Sequence, residues 1–153
     1  MDRINLDTKA RDRAARIGAA REALGTRLTG RQVETDAIVD LLHAVLKPGD
    51  RVCLEGNNQK QADFLAKALV RLDPARIHDL HMVQSVLALP EHLDVFERGI
   101  ASQLDFSFSG PQGARLAKLL SGGRVRIGAI HTYLELFSRY FVDLTPKVSL
   151  IAA

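Results

Sequence analysis

The five residues Glu55-Gly56-Asn57-Asn58-Gln59 combine a carboxylate, a glycine and three consecutive carboxamides. Such a set suits an oxyanion, carboxylate or phosphate cradle. Gly56 lets the backbone approach a ligand closely, and the amides donate hydrogen bonds without adding charge. Glu55 could serve as a base or as a nucleophilic carboxylate. The same composition also suits a cap and turn, because Asn favours N-cap and left-handed positions and a Glu is stabilised at a helix N-terminus. A simple cap needs one amide, and three stand here in a row.

A second group, Ser109-Gly110-Pro111-Gln112, follows the alternating run Leu104-Asp-Phe-Ser-Phe-Ser109. It occupies the equivalent strand end of a second strand–loop–helix unit, so it could line the same crevice; alone it reads equally as an ordinary turn. His131 and Thr132 follow a third strand-like run, with Glu135 one helical turn further on. They are polar candidates for the same site, or partners for buried polar groups. His78 and His81 form a His-x-x-His pair, but residues three apart on a strand face opposite sides, and no cysteine supports them. No metal site is expected. No phosphate-loop lysine, dinucleotide glycine fingerprint or nucleophile-elbow serine occurs.

These candidates are positioned by a regular alternation of elements. Asp7 to Leu24 reads as a helix of good helix formers with a thin stripe of Ala10, Ala14, Ile17, Ala20 and Leu24. Its basic residues suit a nucleic-acid or acidic partner, but a solvated face is favoured because the Arg residues are spread around the wheel. After a break over Gly25 to Gln32, apolar spacing predicts a second helix from Val33 to Leu46, stopped by Pro48-Gly49-Asp50. The strand Arg51 to Leu54 enters the amide-rich loop, and Ala62, Leu65, Leu69 and Leu72 mark the helix beyond it. The stretch Ile77 to Val86 is strand-like at its centre, and Pro90 opens a helix over Glu91 to Gly99 with Leu93 and Phe96 inward. The strand ending at Ser109 leads to a helix over Ala114 to Leu120. Arg124 to Ile130 forms another strand, Tyr133 to Tyr140 a short helix, and Val148 to Ala153 a last strand.

Strands alternating with helices through short loops predict an α/β fold with a mainly parallel sheet flanked by helices. The expected organisation is a helical extension over 1–30 followed by an α/β domain over 31–153. The last strand ends the chain without a cover, so the expectation is an incomplete domain, the first part of a larger protein.

Composition fits an ordinary globular protein: 153 residues, 46% hydrophobic, 25% charged and a net charge of +3. Aromatics are only 5%, with no Trp, which argues against stacking-based recognition of single-stranded nucleic acid. With one cysteine, Cys53, no disulfide can form within the chain. No apolar run approaches the roughly 20 residues needed to cross a bilayer. A cytoplasmic protein is expected, with neither nucleic acid nor membrane as a partner.

Four segments together carry a family resemblance: Pro48-Gly-Asp-Arg-Val-Cys-Leu-Glu-Gly-Asn-Asn-Gln-Lys-Gln-Ala-Asp-Phe-Leu65, His78-Asp-Leu-His-Met82, Leu104-Asp-Phe-Ser-Phe-Ser-Gly-Pro-Gln112, and Gly128-Ala-Ile-His-Thr-Tyr-Leu-Glu-Leu-Phe-Ser-Arg-Tyr-Phe-Val-Asp-Leu-Thr-Pro146. The chain resembles the α subunit of biotin-independent malonate decarboxylase from about Val33 onward. The resemblance implies a fold like that of the CoA transferases. It implies transfer of an acyl carrier protein from acetyl-S-carrier to malonate, giving malonyl-S-carrier and acetate, followed by decarboxylation on partner subunits. The implied prosthetic group, phosphoribosyl-dephospho-CoA, is borne by the carrier and not bound directly by this chain.

The family subunit is several times longer, and the thioester-forming carboxylate of related CoA transferases lies in the second half. The usual glycine-rich oxyanion loop is replaced here by Glu55 to Gln59. No catalytic nucleophile is therefore assigned, the chain alone is expected to be inactive, and the loops are assigned to substrate binding. A rival expectation is a non-catalytic docking module of a multi-subunit acyl-carrier complex, with the basic first helix as its contact surface.

Overall fold

A computed structural model describes residues 6–54, 62–129 and 150–152. The chain divides into two compact units, Met1–Leu46 and Lys47–Ala153. Residues 28–33, around the expected boundary at residue 30, form a hairpin.

In the first unit, α1 (Leu6–Leu24) packs against α2 (Ile38–Val45). Ala20 and Leu24 from the small-residue stripe are buried, whereas Ile17 is exposed. Arg16 ties the pair together: its Nε donates to Asp12 Oδ2 one turn earlier at 2.7 Å, and its Nη1 donates to the Val45 carbonyl at 2.6 Å. A guanidinium there satisfies a carbonyl that the end of α2 leaves without an intrahelical partner.

The helix predicted from Val33 begins only at Ile38. Leu28–Thr29 (β1) and Gln32–Val33 (β2) form an antiparallel hairpin, with Leu28 opposite Val33. Gly30, at φ 63°, makes the tight turn between them. Val33 fits the helical spacing, but its cross-strand partner lies five residues back, and that pairing overrides the local period. A 3-10 turn over Thr35–Ala37 then leads into α2.

The second unit is a five-stranded sheet in the order β6-β5-β4-β3-β7, every neighbouring pair parallel. Its strands are β3 (Arg51–Leu54), β4 (Leu80–Val86), β5 (Ala101–Phe108), β6 (Arg126–Ala129) and β7 (Leu150–Ala152). The helices α3 (Asp63–Val70), α4 (Glu91–Glu97) and α5 (Gly113–Ser121) are the successive crossovers from β3 to β6. Each step moves one strand the same way across the sheet. Right-handed crossovers in one direction put all three helices on one face, and α4 accordingly touches both α3 and α5. The predicted α/β fold with a parallel sheet is thus observed.

Burial explains why this register holds. Val52, Leu54, Leu80, Met82 and Leu104 are almost fully buried, as are Leu93, Val95 and Phe96 of α4. β4 starts at Leu80 rather than Ile77. Ile77 instead closes the Asp73-Pro74 turn through its N–H to the Asp73 carbonyl, and Asp79 sits in the left-handed region at φ 56°, which a strand cannot accommodate. β5 begins at Ala101, three residues before the alternating run, because Leu80 and His81 give Ala101 and Gln103 strand partners.

An ion-pair cluster joins α5 to α4. Arg115 Nε donates to Glu97 Oε1 at 2.8 Å and Nη1 to the Pro90 carbonyl at 2.9 Å, while Nη2 contacts Asp94. The Arg115 hydrogen bond holds the Glu97 carboxyl below the usual carboxylate range. A lowered folded-state value stabilises the fold at neutral pH, and the contribution is lost as pH falls through it. Replacing Arg115 with Ala should cost no more than about 1 kcal/mol, because all three side chains are partly solvated. It should also flatten the acid limb of the stability curve. Urea denaturation between pH 3 and pH 7 measures both.

Candidate functional site

Parallel register brings the C-terminal ends of β3, β4 and β5 side by side. Leu54, the last residue of β3, is opposite Gln84 of β4, which is opposite Phe106 of β5; Val86 pairs with Phe108. Ligands of α/β proteins bind beyond this end of the sheet. Glu55, Gly56, Asn57, Asn58 and Gln59 follow Leu54 directly in the chain, and they lie outside the described residues, as do His131 and Thr132.

Ser109, Gly110, Pro111 and Gln112 are described and stand where expected, at the end of β5. They make a 3-10 turn running into α5, closed by the Gln112 N–H on the Ser109 carbonyl at 3.1 Å. Gly110 is at φ 52°, and a Cβ there would approach the Leu87 carbonyl oxygen to 3.1 Å. The Leu87 N–H in turn reaches the Phe108 carbonyl. The turn is therefore fitted tightly against the end of β4, and only glycine meets both the dihedral and the space. Phe108 remains 63% exposed at this end of the sheet.

The two histidines of the His-x-x-His pair are separated by their environments. His78 is exposed before β4 and pairs with Asp79 at 2.9 Å, a hydrogen bond that holds the Asp79 carboxyl below its ordinary value. His81 is buried in β4, between Arg51 and Asp105. Arg51 Nε donates to His81 Nδ1 at 3.2 Å, so Nδ1 accepts and the ring proton is on Nε2. Nε2 lies 3.0 Å from Asp105 Oδ2, near but not in line with a well-formed hydrogen bond. Asp105 is only 2% exposed. Its carboxylate has room because residue 128 on the neighbouring strand is glycine: a Cβ there would overlap Asp105 Oδ1. Arg51, His81 and Asp105 thus make a polar chain across β3, β4 and β5. Among the described residues no group of three or more His, Cys, Asp or Glu side chains could hold a metal ion.

Gln84 was not singled out by the sequence reading. It shares the strand face of Leu80 and Met82, by the alternation of β4, and is buried with both side-chain polar atoms unpaired among the described residues. The signal that could have found it is a lone carboxamide at the parity of two apolar residues, inside a strand buried on both faces.

A sequence model of the family described as "Malonate decarboxylase, alpha subunit, transporter" matches residues 5–153. The acetyl-S-ACP:malonate ACP transferase of Malonomonas rubra is 53% identical over 152 residues, which is 99% of this chain and 26% of that protein. Two solved structures are similar. One is the malonate decarboxylase α subunit from Acinetobacter baumannii, with TM-score 0.80 and 47% identity over 90% of this chain and 25% of that one. The other is a Pseudomonas malonate decarboxylase hetero-tetramer in complex with malonate, with TM-score 0.81 and 49% identity over 93% of this chain and 26% of that one. The chain spans about a quarter of the length of these relatives.

Two glycine substitutions test the packing of the strand ends. Gly128→Ala should destabilise the fold by about 1–3 kcal/mol, through overlap with the Asp105 carboxylate. Gly110→Ala should cost about 1–2 kcal/mol, from the left-handed dihedral and the Leu87 carbonyl together. Equilibrium denaturation reads both losses, and Gly30→Ala, at a similar dihedral with open space around it, isolates the dihedral contribution.

Proposed function

Since the chain belongs to the malonate decarboxylase alpha-subunit family, we propose that it forms part of a transferase that moves an acyl carrier protein between carboxylic acids. Acetyl-S-carrier and malonate exchange to give malonyl-S-carrier and acetate: the thioester bond to acetate breaks, and one to a malonate carboxyl forms. The observation carrying this reading is the 53% identity to the acetyl-S-ACP:malonate ACP transferase along 99% of the chain. The malonate-bound hetero-tetramer among the similar structures supports malonate as a substrate and partner subunits around it. Decarboxylation of the malonyl thioester is then the work of those partners.

In this reading the fold is CoA-transferase-like, and the chain's own contribution is binding and charge stabilisation. Acyl exchange at a thioester passes through tetrahedral species with a developing oxyanion, which neutral donors stabilise when they are aimed at it beforehand. The carboxamides of Asn57, Asn58 and Gln59 are such donors. Glu55, Gly56, the Ser109–Gln112 turn, His131 and Thr132 complete the assigned substrate-binding set. The thiol would come from a phosphoribosyl-dephospho-CoA group on the carrier, which supplies a flexible thioester arm. A buried carboxamide without a partner among the described residues, Gln84, at the same end of the sheet fits an arm that carries amides. No helix of the described residues is long and apolar enough to cross a membrane, and a cytoplasmic location agrees with a single cysteine, Cys53, that has no second cysteine in the chain to pair with.

A second reading is favoured by α1, where Arg11, Arg13, Arg21 and Glu22 are exposed: the first unit docks the subunit into its complex. The two readings separate in the full-length enzyme. Asn57→Ala with Asn58→Ala should lower acyl exchange by about 100-fold, the scale of losing oxyanion donors, with an unchanged melting temperature. Unchanged exchange would remove the cradle role. Deleting residues 1–24 should abolish subunit association, read by sedimentation, while transfer by the isolated subunit persists. Loss of transfer with association intact would exclude the docking role.

A further inference from the structure

Buried carboxamides are ordinarily hydrogen-bonded. Gln84 is 1% exposed, and neither its Oε1 nor its Nε2 has a hydrogen-bond partner among the described residues. A group in that state has given up its water hydrogen bonds without replacement, which is unfavourable. It stands in the C-terminal half of β4, in register with Leu54 on one side and Phe106 on the other. Leu54 is the residue from which the amide-rich loop departs, and the Ser109–Gln112 turn packs against Val86 and Leu87 of the same β4 end. Apolar neighbours in the layer leave no competing polar side chain at its own register position.

The chemistry of a carboxamide selects its partner. Nε2 only donates and Oε1 only accepts. A carboxylate or a thioester carbonyl offers acceptors alone and would leave Oε1 orphaned. A secondary amide offers one donor and one acceptor side by side and satisfies both atoms. We propose that Gln84 is a substrate-binding residue that pairs with an amide of the pantetheine-type arm carrying the thioester. This rests on the transferase reading above. In that role Gln84 holds the arm and takes no part in the acyl exchange itself, so its contribution belongs in KM rather than kcat.

Gln84→Leu in the full-length subunit tests this, because Leu matches the shape and removes both polar atoms. Without substrate, a carboxamide that has no protein partner is replaced by Leu at no cost, so the melting temperature should stay or rise. A fall of several degrees would reveal a partner within the protein and overturn the proposal. Transfer is then compared for acetyl-pantetheine and for S-ethyl thioacetate, which has no amide. KM for acetyl-pantetheine should rise about ten-fold at unchanged kcat, the loss expected for one amide pairing. S-ethyl thioacetate should be used equally well by both proteins. An equal loss with both thioesters, or an unchanged KM for acetyl-pantetheine, would overturn it. If the unsubstituted subunit transfers neither acyl group, the transferase reading fails on its own. Calorimetric binding of free pantetheine, ten-fold weaker with Leu if the proposal holds and unchanged if it does not, still decides the role of Gln84.

Discussion

Much of the second unit depends on how β4 is held between β3 and β5. A parallel strand in the middle of a sheet has both edges committed and both faces covered, so its register cannot slip by one residue without turning every side chain over. Leu80 and Met82 fix one face through burial. On the other face His81 sits between a cation on β3 and a carboxylate on β5, a contact that only one register permits. With β4 fixed, the ends of three strands are brought level, and the points from which their connections depart lie side by side.

The polar chain and the apolar layer have different consequences. Apolar burial supplies most of the driving force but discriminates poorly among registers that keep the same parity. Arg51, His81 and Asp105 discriminate well, because a slip of two residues would keep the apolar pattern while leaving a buried carboxylate without its imidazole. Buried charges of this kind are costly when unmatched. Their use here is to make the correct alignment of β3, β4 and β5 distinct from its nearest competitors.

Much of the architecture was legible in the sequence. The strand at Arg51, the helix after it, Pro90 opening α4 and the alternating run into Ser109 all announce themselves through local period and punctuation. What was illegible depended on contacts distant in the chain. Val33 obeys a helical spacing and yet pairs with Leu28. The start of β5 is set by β4, not by its own composition. His81 reads as half of a short motif, whereas its partners are thirty residues before it and well beyond it in sequence. Gln84 carries the same lesson: a single amide in an apolar strand acquires meaning only once Leu54 and Phe106 are seen beside it. Of the candidate site, the turn at Ser109 to Gln112 was legible by position and composition, and the structure gives that turn a reason in the close fit of Gly110 against Leu87.

Gly128 governs what the neighbouring strand can contain. A carboxylate at 105 and a side chain at 128 compete for the same space, so the two positions form a linked pair in which some combinations are costlier than others. Across related proteins they should vary jointly: alanine or serine at 128 is accommodated at less cost where the bulk at 105 is smaller. The less costly route through sequence space is therefore the one in which the carboxylate departs before the glycine is released.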